Sequence, residues 1–130
     1  MKEKIQLTKA EAQVMNVLWS LPTDEGVTSA EVMEHYDEPK PAMTTLLTFL
    51  KRLTEKGIVR TEKRGKLLYF TPLLSRETYT QQMMTEVKDT FFGGSLNSLV
   101  SFFVRHEHLN SSQIDELIDI IRQKKTLNDK

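Results

Sequence analysis

One stretch constrains the fold more than any other: PAMTTLLTFLKRLTEKG, residues 41–57, is a helical pattern bounded by residues typical of helix ends. Pro41 suits the first position of a helix, where a missing N–H costs no hydrogen bond. Gly57 suits the left-handed residue that follows a helix, and Lys56 suits the negative end of the helix dipole. The pattern therefore predicts one helix from Pro41 to Lys56.

The two faces of this predicted helix differ in chemistry. At about 100° per residue, one arc is apolar and contains Met43, Leu46, Phe49, Leu50 and Leu53. The opposite arc contains Thr44, Thr45, Thr48, Lys51, Arg52 and Glu55. Short hydroxyl side chains let a helix approach a groove and contact base edges, and cations beside them neutralise phosphates. The polar arc is either an ordinary solvated face or a surface that meets a polyanion.

The distribution of charge favours the second interpretation. The chain has 18 basic and 18 acidic residues, and this zero net charge alone argues against a nucleic-acid-binding protein. Residues 40–66, however, hold eight cations and two anions, a net charge of +6, whereas residues 1–39 carry −5 and residues 67–130 carry −1. Positive charge concentrated on one segment is the electrostatic footprint of a nucleic-acid-binding surface.

The elements around this segment predict a winged helix. Capping-box sequences, TKAE at 8–11 and TSAE at 28–31, open helices that we expect to run to about Ser20 and about Tyr36. A short connection joins the second helix to the Pro41 helix, which is a helix-turn-helix arrangement. After Gly57, the β-prone segments 58–63 and 66–71 flank a turn at Arg64–Gly65, and Val27 could add a short edge strand. Lys63, Arg64 and Lys66 lie at the tip of this hairpin, where we expect contacts with phosphates.

The remainder of the chain predicts three amphipathic helices, separated by Gly93–Gly94 and by residues 106–110. Three short helices cannot bury so many apolar side chains alone, so we expect the same segment of a second chain to cover them, although packing on the winged helix stays an alternative. The expected dimerisation residues are Tyr79, Met83, Val87, Leu99, Phe103, Ile114, Leu117, Ile118 and Ile121. The fold class is mainly α with a small β wing (α+β): a winged helix over residues 1–74 and a helical dimerisation domain over 75–130.

Composition narrows the function. The chain has no cysteine, which excludes disulfides, zinc fingers and thiol nucleophiles and is compatible with a reducing cytoplasm. No apolar run reaches the roughly 20 residues that a membrane span needs, so we expect a cytoplasmic protein without membrane insertion. His106, Glu107 and His108 form the one cluster worth inspecting, and the spacing of its two histidines suggests neither a third ligand nor a general base. We therefore expect no enzyme, no metal and no cofactor.

Two other functions stay open on this evidence. A winged helix can serve protein–protein contact, although such a module need not concentrate cations on its helix and wing. A small ligand could occupy the dimer core, in a pocket lined by Met83, Met84, Phe91, Phe92, Phe102 and Phe103, although apolar stripes at helical spacing more often form a core.

Taken together, five segments resemble the penicillinase-repressor family over nearly the whole chain. They are LTKAEAQVMNVLW (7–19), PAMTTLLTFLKRLTEKGIV (41–59), YFTPL (69–73), FFGGSLNSLVSFFV (91–104) and LNSSQIDELIDII (109–121). The double glycine followed by SLNSLV is the most family-specific of these, because generic winged helices lack it.

The resemblance implies a homodimeric repressor that reads a dyad operator in double-stranded DNA. It places Thr44, Thr45, Thr48 and Arg52 on the groove-facing side and Lys63, Arg64 and Lys66 in the wing. In antibiotic-responsive members, a membrane metalloprotease-type sensor detects a β-lactam, and the dimerisation region is then cleaved. The cleaved bond matches Ser101–Phe102 here, and Ser101 stands where the well-known members carry asparagine. The resemblance thus implies that such a sensor, or its effector, is a candidate partner.

Overall fold

The computed structural model describes residues 6–128 and confirms the predicted mainly helical fold with a β wing. Within that range the chain forms six helices and one two-stranded antiparallel sheet. The elements are α1 (Lys9–Ser20), α2 (Ser29–Glu34), α3 (Met43–Glu55), β1 (Val59–Arg64), β2 (Leu67–Pro72), α4 (Arg76–Phe92), α5 (Leu96–His106) and α6 (Ser111–Asn128).

Reciprocal capping boxes open α1 and α2, as predicted. The Thr8 hydroxyl accepts the Glu11 N–H at 3.1 Å, and the Glu11 carboxylate accepts the Thr8 N–H at 2.9 Å. Thr28 and Glu31 repeat this exchange at 3.2 and 3.1 Å. Each box satisfies N–H groups that the first helical turn leaves without partners, so these short helices have defined starting points.

The two ends of α3 differ in how well the sequence predicted them. Pro41 is not the first helical residue: the helix begins at Met43, and Ala42 is its extended N-cap. Proline fixes φ but not ψ, so it fits the extended approach to a helix as well as the first turn. The other end is as predicted. Gly57 has φ +78°, and the Ile58 N–H donates to the Leu53 carbonyl at 3.1 Å, which closes a Schellman motif.

The hairpin is displaced by one residue from its predicted position. β1 pairs with β2 from Val59–Pro72 to Arg64–Leu67, so the turn residues are Gly65 and Lys66 and not Arg64 and Gly65. Gly65 has φ +62°, and a two-residue hairpin loop with glycine first suits a type II′ turn. Val27 adds the expected edge contact as a single antiparallel bridge to Phe70.

The hydrophobic core lies between α1, α2, α3 and the base of the hairpin. From α3 it takes Leu46, Leu50 and Leu53, all fully buried, whereas Phe49 is half-buried and Met43 is exposed. The other buried apolar residues are Val14, Met15, Leu18, Val27, Val32, Ile58, Val59 and Phe70. Burying one arc of α3 leaves its opposite arc in solvent.

An ion pair between buried Glu11 and solvent-exposed Lys56 joins the start of α1 to the end of α3. Glu11 is 1% exposed, and its carboxylate lies 2.6 Å from the Lys56 ammonium, which also donates to the Gln6 carbonyl at 2.9 Å. Burial alone would raise the pKa of Glu11. The hydrogen bond from Lys56, the Thr8 N–H and the charge of Lys56 outweigh that effect, so the pKa lies below its ordinary value.

The chain divides into two compact units, Met1–Gln82 and Met83–Lys130. The division lies inside α4. No residue in the described part of the second unit is fully buried. No helix within residues 6–128 is long and apolar enough to cross a membrane.

Replacing Lys56 with methionine should destabilise the protein by about 1–3 kcal/mol near neutral pH, because Glu11 would keep a buried charge without its cation. The folded pKa of Glu11 lies below the unfolded one, so its stabilisation is present above the unfolded pKa and is lost as pH falls through the folded pKa. The deficit of Lys56→Met should therefore shrink in acid. Urea denaturation over a pH series measures this.

The control is Lys51→Met, which removes an exposed lysine from the same helix. It should change the free energy of unfolding little at any pH. A deficit of Lys56→Met that is absent at neutral pH, or that grows in acid, would contradict the assigned ion pair.

Candidate nucleic-acid interface

The outward arc of α3 presents every polar residue that the sequence placed there. Because Leu46, Leu50 and Leu53 are buried, the opposite side of the helix is in solvent. Its exposed residues include all five predicted contact residues of the helix, namely Thr44, Thr45, Thr48, Lys51 and Arg52.

Hydrogen bonding within α3 limits what Thr48 can do. Its hydroxyl donates to the Thr44 carbonyl at 3.0 Å. A hydroxyl has one proton and two lone pairs, so this side chain can still accept but has no second proton to donate. In a major groove it could accept from the amino group of adenine or cytosine, and its methyl could contact the methyl of thymine.

The wing tip carries the other predicted cations. Lys63, Arg64 and Lys66 are exposed, and Lys66 lies in the turn itself. Arg64 is the most constrained of the three. Its guanidinium lies 3.1 Å from the Glu62 carboxylate and 4.5 Å from the centre of the Tyr69 ring. These two contacts hold the guanidinium on the outer face of the hairpin, beside the tip.

The Glu62 carboxylate lowers the net charge of the wing tip. The hydrogen bond and charge of Arg64, and to a smaller extent the charge of Arg60, lower the pKa of Glu62 below its ordinary value. Glu62 therefore stays ionised at neutral pH. A phosphate that approaches Arg64 competes with this carboxylate, so Lys63 and Lys66 are the less encumbered cations of the tip.

A hydroxyl bridge that the sequence analysis missed joins α3 to the wing. The Thr54 hydroxyl donates to the Leu50 carbonyl at 2.8 Å and lies 2.7 Å from the Thr61 hydroxyl. Since Thr54 has already given its proton, Thr61 must be the donor to Thr54. The bridge links the helix that carries the threonines to the strand that carries the basic tip. Sequence periodicity places Thr54 at the edge of the apolar arc, but it gives no partner for it.

Tyr79 and the start of α4 belong to the first unit. The Trp19 indole N–H donates to the Leu74 carbonyl at 2.8 Å, and the Tyr79 ring lies 6.0 Å from the Trp19 ring. The Arg76 guanidinium lies 5.6 Å from the same indole. Tyr79, which the sequence grouped with the dimerisation residues, therefore packs on α1 of its own chain.

The other predicted dimerisation residues leave much of their surface in solvent. Met83, Val87 and Leu99 are half-buried, whereas Phe103, Ile114, Leu117, Ile118 and Ile121 are exposed. Further exposed apolar residues outside the predicted dimerisation set include Phe91, Leu96, Ile120 and Leu127. Asn110 caps α6, since its side chain accepts the Gln113 N–H at 2.8 Å, so the helix begins where the sequence predicted.

Ser101 and Phe102 lie within the regular part of α5. Ser101 is half-buried and Phe102 is exposed, with its ring 5.5 Å from Phe92. A shallow cavity of about 420 Å³ lies beside them and is lined by Phe92, Asn97, Ser98, Ser101, Phe102 and Arg105. Of the six residues suggested for a ligand pocket, this cavity brings together Phe92 and Phe102, and the other four do not line it.

No group of three or more His, Cys, Asp or Glu side chains within residues 6–128 is arranged to hold a metal ion.

A model of the penicillinase repressor family matches residues 7–123, which is most of the chain. The chain belongs to the penicillinase repressor family. This match includes the winged helix and the start and middle of α6, so the family assignment does not depend on the winged helix alone.

Curated relatives align with the chain over nearly its whole length. The penicillinase repressor of Bacillus licheniformis is 29% identical over 126 residues, which cover 96% of each protein. The penicillinase repressor of Staphylococcus aureus is 25% identical over 92% of this chain and 93% of its own. The methicillin resistance regulatory protein MecI of S. aureus strain N315 is 26% identical over 92% of this chain and 95% of its own.

One solved structure with a similar chain is the solution structure of the monomeric form of B. licheniformis BlaI in complex with the blaP half-operator. The BlaI chain is 29% identical in sequence. The alignment covers 61% of this chain and 94% of the BlaI chain, with a TM-score of 0.47.

In this member of the penicillinase repressor family, replacing Thr61 with valine should lower the free energy of unfolding by about 1 kcal/mol. Valine keeps the shape of threonine but removes the hydroxyl that donates to Thr54, so the half-buried Thr54 oxygen loses that donor and keeps only its own bond to the Leu50 carbonyl. Thr61→Ser keeps the hydroxyl and should cost less. Urea denaturation of both variants tests the bridge, and a valine variant as stable as the wild type would disprove its contribution.

Proposed function

We propose that this chain is a dimeric transcriptional repressor that binds a dyad operator through its winged helix, and that it is not an enzyme. The observation that carries the proposal is the exposed set of threonines and cations on α3 and the wing, in a chain with two relatives named as penicillinase repressors. Repression is passive: the bound dimer occupies promoter DNA and excludes the polymerase.

In this proposal α3 is the recognition helix and lies in the major groove. Thr44, Thr45 and Thr48 read base edges, because their short side chains let the backbone approach the floor of the groove. Thr48 acts as a hydrogen-bond acceptor, since its proton is held by the Thr44 carbonyl. Lys51 and Arg52, farther along the same arc, contact the phosphates at the groove edges.

The wing supplies contacts that depend little on sequence. Lys63, Arg64 and Lys66 neutralise phosphates beside the groove that α3 occupies. Each neutralised phosphate releases condensed counterions, so binding should weaken steeply as salt rises. Glu62 offsets part of this attraction through its contact with Arg64.

Dimerisation through residues 75–130 accounts for the exposed apolar side chains of α5 and α6. Phe103, Ile114, Leu117, Ile118 and Ile121 are all exposed in the single chain. Apolar residues in such number mark a surface that another chain covers. A two-fold dimer would also present two copies of α3 to the two half-sites of a dyad operator.

Relief of repression by proteolysis is the finer part of the proposal. Cleavage between Ser101 and Phe102 would cut α5 and separate Phe103 and all of α6 from the winged helix. The dimer contacts would then no longer be covalently linked to the part of the chain that binds DNA. The partner that begins this event would be a membrane metalloprotease-type sensor, or its effector. This part rests on the match of Ser101–Phe102 to the bond that is cleaved in antibiotic-responsive members of the family to which the chain belongs.

Thr48→Ala should weaken binding to the operator by about tenfold or more, and it should weaken binding to random DNA much less, because one base contact is worth about 1–3 kcal/mol of discrimination. Thr48→Ser keeps the acceptor oxygen, so its affinity for the operator should lie between those of the wild type and Thr48→Ala. Fluorescence anisotropy titrations with both DNAs measure the difference. Equal losses on operator and random DNA would show that Thr48 does not read bases.

Ile118→Asp should convert the dimer into monomers, because a carboxylate on the apolar stripe of α6 would be buried without a partner in the dimer. Gln123→Asp is the matched control, since Gln123 is exposed and lies about 140° around the same helix. Sedimentation velocity should give monomers for the first variant and dimers for the second. A dimer that persists in Ile118→Asp would remove this stripe from the interface.

A further inference from the structure

Two adjacent leucines at the wing tip are exposed, and the contacts proposed above do not use them. Leu67 is 53% exposed and Leu68 is 43% exposed. Successive residues of a strand point to opposite faces, so the tip has an apolar side chain on each face of the hairpin. They follow the turn residue Lys66 directly, at the point of the wing farthest from the core.

Each of these leucines has a cation directly across the hairpin. Leu67 is the strand partner of Arg64, and Leu68 is the strand partner of Lys63. With Lys66 in the turn, the tip is two apolar side chains among three cations, of which Arg64 is paired with Glu62. Such a surface suits a polyanion that also offers an apolar or aromatic wall. It disfavours a second copy of the same tip, because like charges would face each other.

The position of Leu68 is fixed by the part of the hairpin that reaches the core. Leu68 lies two residues before the buried Phe70, so the two share a face of the strand. Phe70 pairs with Thr61, and the Thr61 hydroxyl is bonded to Thr54 of α3. The face that carries Leu68 is therefore anchored to the proposed recognition helix.

We infer that Leu67 and Leu68 are DNA-contacting residues that pack against sugars and base edges in the groove beside the wing, between the phosphates that Lys63, Arg64 and Lys66 neutralise. The inference rests on the proposed function, since it assigns further residues to the same interface. DNA is the occupant that the charge of the tip favours, because sugar and base surfaces lie between two rows of phosphates.

Apolar contacts and phosphate contacts have different salt signatures. Neutralising a phosphate releases counterions and makes the slope of log affinity against log salt more negative by about 0.9. Burying a leucine against a sugar or base releases none. Loss of the leucines should therefore lower affinity equally at every salt concentration, whereas loss of a tip cation should also reduce the slope.

The test compares four full-length proteins: the wild type, Leu67→Ala with Leu68→Ala, Arg64→Ala, and Leu73→Ala. Leu73 is the matched control, because it is 56% exposed but lies at the opposite end of the hairpin. The probes are a duplex from upstream of the chain's own gene and a random duplex of equal length. Affinities are measured by anisotropy across a salt series.

The leucine pair should lose about five- to thirtyfold in affinity for the upstream duplex at each salt concentration, with the slope of the wild type, from partial burial of two leucines. Leu73→Ala should match the wild type. Arg64→Ala should lose affinity and about one unit of slope per protomer. Three further variants are measured beside these four proteins: Leu67→Ala alone, Leu68→Ala alone, and a double variant with Leu67→Met and Leu68→Met. The methionine pair should retain most of the affinity, and the single variants keep the test decisive if the alanine pair folds poorly.

The inference is overturned if the leucine pair binds within twofold of the wild type, or if its slope falls as far as that of Arg64→Ala. Failure of the proposed function gives another result. In that case the wild type itself would not bind the two duplexes in a salt-dependent manner, whatever the leucines do.

Discussion

Burial of one arc of α3 is the constraint on which the rest of the winged helix depends. Leu46, Leu50 and Leu53 are fully buried, and this fixes the rotation of α3 about its own axis. The threonines and cations of the opposite arc therefore face solvent. The Schellman motif at Gly57 and the ion pair of Lys56 with Glu11 fix the far end of the helix. The wing follows directly, and the Thr54–Thr61 bridge ties it to α3. Core packing and the proposed recognition surface are thus consequences of the same helix.

The second unit has the opposite character. No residue of its described part is fully buried, although α5 and α6 are rich in leucine, isoleucine and phenylalanine. A small segment buries a small share of its apolar surface. In the proposed dimer, a partner chain would cover these exposed side chains. In that dimer, the proposed cut in α5 between Ser101 and Phe102 would separate apolar surface of the interface from the winged helix, and so would weaken DNA binding.

Local signals in the sequence predicted the elements well, because their causes are local. Both capping boxes and the glycine after α3 act within a few residues. The predicted starts of α1 and α2 and the predicted end of α3 were therefore correct. Pro41 misled the prediction, since its fixed φ fits both an extended and a helical residue. The hairpin moved by one residue because the turn geometry favours Gly65 in the first turn position. The exposure of the candidate contact residues on α3 was predicted correctly, because exposure follows from helical periodicity.

Contacts between distant residues could not be predicted from a single sequence. Glu11 and Lys56 are 45 residues apart in the sequence. The capping box already accounts for the presence of Glu11, so the sequence gives no reason to expect a second partner for it. The packing of Tyr79 on Trp19 was missed because its spacing matches the stripe of α4 equally well. The exposed leucines of the wing were missed since an apolar residue in a predicted strand is ordinarily assigned to a core. In each case the sequence gives the residue type, and only the tertiary structure gives the partner.

The most direct test of a specific repressor is a mobility-shift titration of the purified full-length chain against the DNA upstream of its own gene. A scrambled duplex of equal length is the control, and both are titrated at two salt concentrations. The account predicts salt-sensitive binding that favours the upstream DNA by about a thousandfold or more. Equal, weak binding to both duplexes at both salt concentrations would contradict specific binding to this DNA.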